Sequence, residues 1–294
     1  MARQVVFIAS RAHSGSTLLN LLLSGQPRLV ALGEVFNLFD FRAGHIYRQE
    51  KILCSCGETM SRCKFWGPVT DQLRDHPELS PDEMYDLVLD AFYAHFGVDA
   101  IPIDASKTVG ALRVLKERQV DLRVIFLIRD VRPWVVSMRK NLEKRAQLRF
   151  TDLIKQHGLK APLKWLLTTP TKFFWHWYIL NRQTQRFLEE EGISTLQMGY
   201  EELCFYPERM LSQIGNYLGL PFDPEVVSLG TSEEHIILGN RMRRQPEKRA
   251  RIYYDHRWFN TSEWMLPSLL FRRIMSYNAR EVYRNTSQHE WLRK

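Results

Sequence analysis

The sequence predicts an α/β fold, and three observations carry that prediction. Val5-Val6-Phe7-Ile8-Ala9 is an apolar run that meets a polar turn and then the leucine-rich run Leu18 to Leu23, closed by Gly25 and Pro27. Leu122-Arg123-Val124-Ile125-Phe126-Leu127-Ile128 is a second apolar run, followed by a polar turn and Pro133. Both lack strict polar–apolar alternation and both feed segments of helical spacing, which is how buried parallel strands read when they lead into helices.

The length of 294 residues suits one large α/β unit, so a single domain over 1–294 is expected, with an irregular Cys-containing insertion at about 36–70. Hydrophobic residues are 45% and charged residues 25%, a globular composition without a low-complexity block or internal repeat. A net charge of +8 fits an anionic ligand, or solubility alone. Basic residues are scattered through mixed-sign segments apart from Arg241 to Arg251, so no nucleic-acid partner is expected. No run approaches the about 20 apolar residues that span a bilayer. The first apolar stretch is interrupted by Arg11 and lacks a small-residue cleavage site, so no secretory signal or transmembrane segment is expected and the location is read as cytoplasmic.

In chain order, the first strand and helix enclose Ser10-Arg11-Ala12-His13-Ser14-Gly15-Ser16-Thr17. A bend at the amino end of a helix favours an anion, because unpaired N–H groups and the helix dipole meet there. Compared with G-x-x-x-x-G-K-[ST], the stretch keeps Gly15 and Thr17 but has Ser10 at the first glycine and Ser16 at the lysine. That lysine reaches the β- and γ-phosphates of a triphosphate, so its absence points to a donor with a shorter anionic tail. Ser14, Ser16 and Thr17 add hydroxyl donors, or simply cap the helix.

Arg28 to Glu34 reads as a second strand. Ligands of open parallel sheets bind outside the carboxyl ends of the strands, so Glu34 is expected to face the same crevice, where a general base belongs; a surface or capping glutamate is the alternative. Residues Phe36 to Trp66, with Phe39, Phe41, Tyr47, Cys54, Cys56 and Cys63, read as an irregular cover. C-x-C-x₆-C supplies three thiolates where a closed zinc site needs four ligands; His45, His76 or Cys204 would complete it, and a disulfide or free buried thiols are the other readings. Ser80-Pro81-Asp82-Glu83 opens a helix to about Phe96.

Ile101 to Thr108 reads as a strand followed by a polar turn, with Lys107 just beyond the strand end and offered either to a transferring group or to solvent. After Ile128, Arg129 is equally a phosphate ligand or a salt-bridge partner of Asp130, with Ser137 in the following helix. Asn141 to Glu191 is helical with breaks at Gly158, Pro162 and Pro170, and its aromatic cluster Phe173 to Tyr178 either lines a pocket or fills the core. Ile193 to Met198 is a strand, Pro207 to Leu218 a helix, and Glu263 to Tyr283 one terminal helix. Arg241 and Arg243 open the densest positive patch, a phosphate contact or a solvated loop.

Ala12-His13-Ser14-Gly15-Ser16-Thr17-Leu18-Leu19 resembles the 5′-phosphosulfate loop of sulfotransferases that use 3′-phosphoadenylyl sulfate (PAPS), in particular bacterial ones similar to tyrosylprotein and carbohydrate sulfotransferases. Phe126-Leu127-Ile128-Arg129-Asp130, with Arg132 and Ser137, is similar to the family's 3′-phosphate motif. The resemblance implies a three-layer, P-loop NTPase-like α/β fold with a central parallel sheet flanked by helices. It also implies sulfuryl transfer from PAPS to an acceptor hydroxyl, with no metal required. On these positions it makes Arg11, His13, Ser14, Gly15, Ser16, Thr17 and Leu18 the phosphosulfate loop, Arg129 and Ser137 the 3′-phosphate site, and Arg241 and Arg243 further phosphate contacts. Glu34 after Gly33 becomes the base, Lys107 stabilises the sulfuryl group and leaving phosphate, and His13 joins it in stabilising charge on the 5′-phosphate oxygen. Tyr200-Glu201-Glu202-Leu203 matches a segment whose role in the family is architectural. Many relatives carry Lys or Arg where this chain has His13, so activity is expected to fall as pH rises through the imidazole pKa. A P-loop small-molecule kinase and a non-catalytic nucleotide-binding protein are the alternatives.

Overall fold

The computed structural model describes residues 3–39, 51–118, 120–157, 170–223, 234–239, 242 and 252–286. Arg241, Arg243, Phe41, His45, Tyr47, Gly158 and Pro162 lie outside them. The chain begins with strand β1 (Arg3–Ser10), helix α1 (Ser16–Ser24) and strand β2 (Leu29–Gly33). After short 3₁₀ turns at Val35–Phe39 and Met60–Arg62 come helices α2 (Trp66–Asp75) and α3 (Pro81–Phe96). The first turn of α3 is closed by a reciprocal box in which Glu83 N–H donates to Ser80 Oγ and Ser80 N–H donates to the Glu83 carboxylate, the start expected from Ser80-Pro81-Asp82-Glu83.

Strand β3 (Ile101–Lys107), helix α4 (Val109–Lys116), strand β4 (Val120–Ile128) and helix α5 (Val131–His157) follow. Helix α6 (Pro170–Glu190), strand β5 (Thr195–Gly199) and helices α7 (Tyr200–Phe205), α8 (Pro207–Leu218), α9 (Met265–Leu270) and α10 (Arg272–Val282) complete the series.

Two expectations are corrected. Lys107, expected just beyond the strand end, is the last residue of β3, because the strand stays paired with β1 as far as Lys107 opposite Ala9. The segment 263–283 is two helices, parted at Phe271, whose φ of −103° and ψ of 61° are not helical.

The five strands form one parallel sheet in the order β2-β3-β1-β4-β5. In β1 successive side chains alternate between faces, so Val5, Phe7 and Ala9 join one core and Val6 and Ile8 the other. The first core packs α2 to α6 and α10; the second packs α1 and α8. Helices on both faces make three layers, and burial on both faces explains why the strands read as continuous apolar runs. The order reverses at β1, which lies between β3 and β4, and such a switch point opens a crevice at the carboxyl edge of the sheet. No helix among the described residues is long and apolar enough to cross a membrane.

Candidate functional site

Because the strands are parallel, their carboxyl ends share one edge, and each ends in a residue with chemistry to offer. β1 runs into the loop Arg11 to Gly15, β2 into Glu34, β3 ends at Lys107, β4 meets Arg129 and β5 meets Tyr200.

The loop turns through two left-handed residues, His13 at φ 67° and Gly15 at φ 91°. Glycine is required at 15 by contact as well as by backbone: a Cβ there would stand 2.1 Å from Cδ2 of Tyr200. As the residue before α1, Gly15 brings no side chain to cap the first turn, and no acidic residue occupies that turn. The N–H groups of a helix start have no intrahelical acceptor, so this end is left suited to an outside anion. The loop's carbonyls are drawn off elsewhere: Trp134 Nε1 donates to Ala12 O at 2.8 Å and Arg129 donates to His13 O at 2.8 Å. Ser14, Ser16 and Leu18 are buried, and Thr17 is partly so.

The structure therefore brings Arg129 and Ser137 to the loop. Ser137 Oγ lies 3.2 Å from His13 Nδ1, and the Arg129 guanidinium sits 4.9 Å from the centre of the Tyr200 ring. Arg129 does not pair with Asp130 among the described residues; Asp130 instead accepts two bonds from the Arg132 guanidinium, at 2.9 and 2.6 Å. Burial alone would push the Asp130 carboxyl up, but those bonds and one from Asn278 bring it below the ordinary carboxylate value. Trp177, in the aromatic cluster, is buried and donates to Arg129 O at 3.0 Å. That cluster is core, with Trp175 partly exposed at its rim.

Arg11 is placed differently from the rest of the loop. Its guanidinium donates to Leu180 O and Thr184 Oγ1, each at 2.7 Å, and so ties the loop to α6. Burial lowers its pKa to about 10.

Glu34 and Lys107 form an ion pair that is mostly shielded from solvent, the side chains being 15% and 17% exposed. The other carboxylate oxygen accepts from Asn37 Nδ2 at 2.5 Å. A Cβ on Gly239 would stand 3.3 Å from Glu34 Oε1 and 3.6 Å from Thr17 Oγ1, so glutamate, loop threonine and Gly239 share one corner. Behind Lys107, burial raises the Asp104 carboxyl to about 6 against the pull of bonds from Ser106 and Tyr85. Ser106 Oγ in turn accepts from Phe36 N at 2.8 Å, which braces the turn that follows Glu34.

Two residues escaped the sequence reading. Tyr200 belonged to a segment read as architectural, yet it wedges between Gly15 and Arg129; its place at the end of β5 is the signal that would have found it. His235 approaches the cysteine cluster: its Nδ1 lies 3.0 Å from Cys63 Sγ and 3.8 Å from Cys54 Sγ. His76 instead meets Glu78, and Cys204 lies against Tyr200. The four cysteines are unbridged.

Comparison with solved structures finds the "Sulfotransferase Domain from the Curacin Biosynthetic Pathway", 17% identical over 92% of this chain and 97% of that one, at a TM-score of 0.47. The "Sulfotransferase Domain from the Synechococcus PCC 7002 Olefin Synthase" is 18% identical over 94% and 95%, at 0.45. A sulfotransferase from Alicyclobacillus acidocaldarius is 16% identical over 77% and 86%, at 0.44. Comparison with curated proteins gives no match. The profile of the sulfotransferase family matches residues 5–224, a span that includes the loop, Glu34, Lys107, Arg129 and Ser137. By that match over most of its length, the chain belongs to the sulfotransferase family.

Proposed function

We propose that this sulfotransferase uses PAPS as donor and an acceptor hydroxyl as nucleophile, with Glu34 as general base. The observation that carries the reading is the convergence at one sheet edge of an uncapped helix start, a shielded Glu34–Lys107 pair and Arg129 bound to the loop. The residues present also fit a nucleotide with anionic groups at both its 5′ and 3′ positions. Nε of Arg11, Nε of Arg129 and Oγ of Ser10 are buried with no hydrogen-bond partner, a costly state that an anion would relieve.

In this reading the loop from Arg11 to Leu18 holds the 5′-phosphosulfate, and Arg129 and Ser137 hold the 3′-phosphate. Arg241 and Arg243, outside the described residues, join them. The nucleotide supplies the sulfuryl group and leaves as adenosine 3′,5′-bisphosphate. Glu34 accepts the proton of the acceptor hydroxyl at a carboxylate oxygen, while Asn37 and Lys107 fix the orientation of that carboxylate. Lys107, His13 and the N–H groups of α1 hold negative charge at the loop. Positioning and charge stabilisation are the main levers for a loose, in-line group transfer.

The test is transfer of labelled sulfate from PAPS to a panel of sugar, lipid, phenol and peptide hydroxyls. Glu34→Gln is expected to lower kcat by roughly 10²–10⁴-fold, the usual size of a general-base contribution, while affinity for adenosine 3′,5′-bisphosphate is kept. Unchanged turnover in Glu34→Gln overturns the base assignment. Dependence on ATP and Mg²⁺ with none on PAPS overturns the donor.

A further inference from the structure

Cys54, Cys56, Cys63 and His235 come together from parts of the chain far apart in sequence. Their ligand atoms all lie within 4.8 Å of one another. We propose that they form a structural zinc site, which pins the cover segment to the strip of chain that supports Glu34.

The donor set is the first argument. Three thiols and one imidazole make the Cys₃His combination of closed structural zinc sites, and soft sulfur with nitrogen selects zinc over hard oxygen-seeking cations. Spacing is the second. Tetrahedral zinc with bonds of about 2.3 Å to sulfur and about 2.0 Å to nitrogen separates two sulfurs by about 3.8 Å, and sulfur from nitrogen by about 3.6 Å. Cys54 Sγ and Cys63 Sγ are 3.7 Å apart, and His235 Nδ1 lies 3.8 and 3.0 Å from them. A disulfide would hold the sulfurs at about 2.0 Å, so this pair is spaced for a shared metal.

The local backbone is shaped to match. Gly57, at φ 95°, follows Cys56 in a tight turn whose N–H donates to Cys54 O at 3.2 Å. Trp66 N–H points at Cys63 Sγ from 3.4 Å, an outer contact suited to a thiolate. Trp66 Nε1 holds His235 O at 2.6 Å, and the ring of Phe65 packs beside the imidazole. Cys54, Cys63 and His235 are buried, while Cys56 is exposed and marks the side from which the ion would enter. On binding, zinc displaces three thiol protons to solvent, giving three thiolates and a neutral imidazole around one dication.

The consequence lies in what the two stapled segments touch. Ser55 is stitched to Glu234 and Ile236 by bonds of 2.8 to 3.0 Å. Ile237 then binds the outer edge of β2: its N–H donates to Leu32 O at 3.0 Å and its O accepts from Glu34 N at 3.3 Å. Zinc would therefore hold Glu34 through the backbone and keep Gly239 against its carboxylate, without touching any reacting group.

The experiment measures metal and needs no activity, so its outcome is separate from that of the donor assignment. The full chain, purified without chelator from zinc-containing medium, is expected to hold one zinc per chain by elemental mass spectrometry and to release it when a mercurial titrates the thiols. Cobalt in its place should show thiolate charge-transfer and tetrahedral d–d bands. Cys56→Ser alters the exposed ligand and leaves the buried ones intact, so it should fold yet lose zinc to a chelator that leaves the wild type loaded. Cys204→Ser should stay loaded. Wild type with a Cys54–Cys63 disulfide, wild type with less than a tenth of an equivalent of zinc, or equal zinc retention in Cys56→Ser and Cys204→Ser would each overturn the site.

Discussion

Replacing Gly15 with alanine tests the loop on two independent terms. The backbone term comes from φ 91°, where an alanine costs about 1–2 kcal/mol. The packing term comes from Tyr200: the new methyl would stand 2.1 Å from its ring, 1.3 Å inside the 3.4 Å at which ordinary contact begins. Tyr200 is 7% exposed and its ring lies between the loop and the Arg129 guanidinium, so it cannot move without carrying Arg129 along. Overpacking of that kind costs about 1–3 kcal/mol. Together the terms predict a loss of roughly 2–5 kcal/mol, or a fall in Tm of roughly 4–10 °C for a chain of this size. Calorimetry gives the Tm, and isothermal titration with adenosine 3′,5′-bisphosphate reads the displaced arginine as weakened binding. In a Tyr200→Ala background the ring is gone, so adding Gly15→Ala should cost only the backbone term, leaving a coupling of about 1–3 kcal/mol. Equal increments in both backgrounds, or a single variant with wild-type Tm and affinity, would refute the reasoning.

Other consequences are open to measurement. Arg129→Ala should erase the preference for adenosine 3′,5′-bisphosphate over adenosine 5′-monophosphate by about 1.5–3 kcal/mol, the usual range for a charged hydrogen bond; a preserved preference would remove Arg129 from the 3′-phosphate site. His13→Ala should lower turnover and His13→Arg should retain part of it, whereas a fully active alanine variant would leave His13 without a role. Burial, reinforced by repulsion from Asp130, raises the Glu201 carboxyl from 4.5 to about 8. The folded state then holds a proton that the unfolded chain has released, so the contribution of this carboxyl to stability is full below pH 4.5 and declines as pH climbs to about 8. Glu201→Gln should flatten this decline, gaining on the wild type at pH 8 relative to pH 5 in urea unfolding; an identical pH dependence in both proteins would contradict the assignment.

Much of the fold was legible because it is written in short-range pattern. The apolar runs of β1 and β4, the Ser80 box, and the glycine turn before a leucine-rich helix each need only neighbouring residues to declare themselves. Even Glu34 could be found this way, since a residue just past a parallel strand must face the common crevice. Pairing across the sheet could not. Whether Arg129 paired with Asp130 or turned to a phosphate was open in the chain; the order β3-β1-β4 sets the ends of β1 and β4 side by side, so that Arg129 reaches His13 O across 116 positions of sequence. The same holds for Tyr200 against Gly15, for Arg11 turned to α6, and for His235, which meets Cys63 across 172 positions of sequence. Strand, turn and helix arise from local periodicity and backbone preference, but a site assembled at a sheet edge depends on which strands are neighbours, and that is fixed only when both faces of the sheet are buried together.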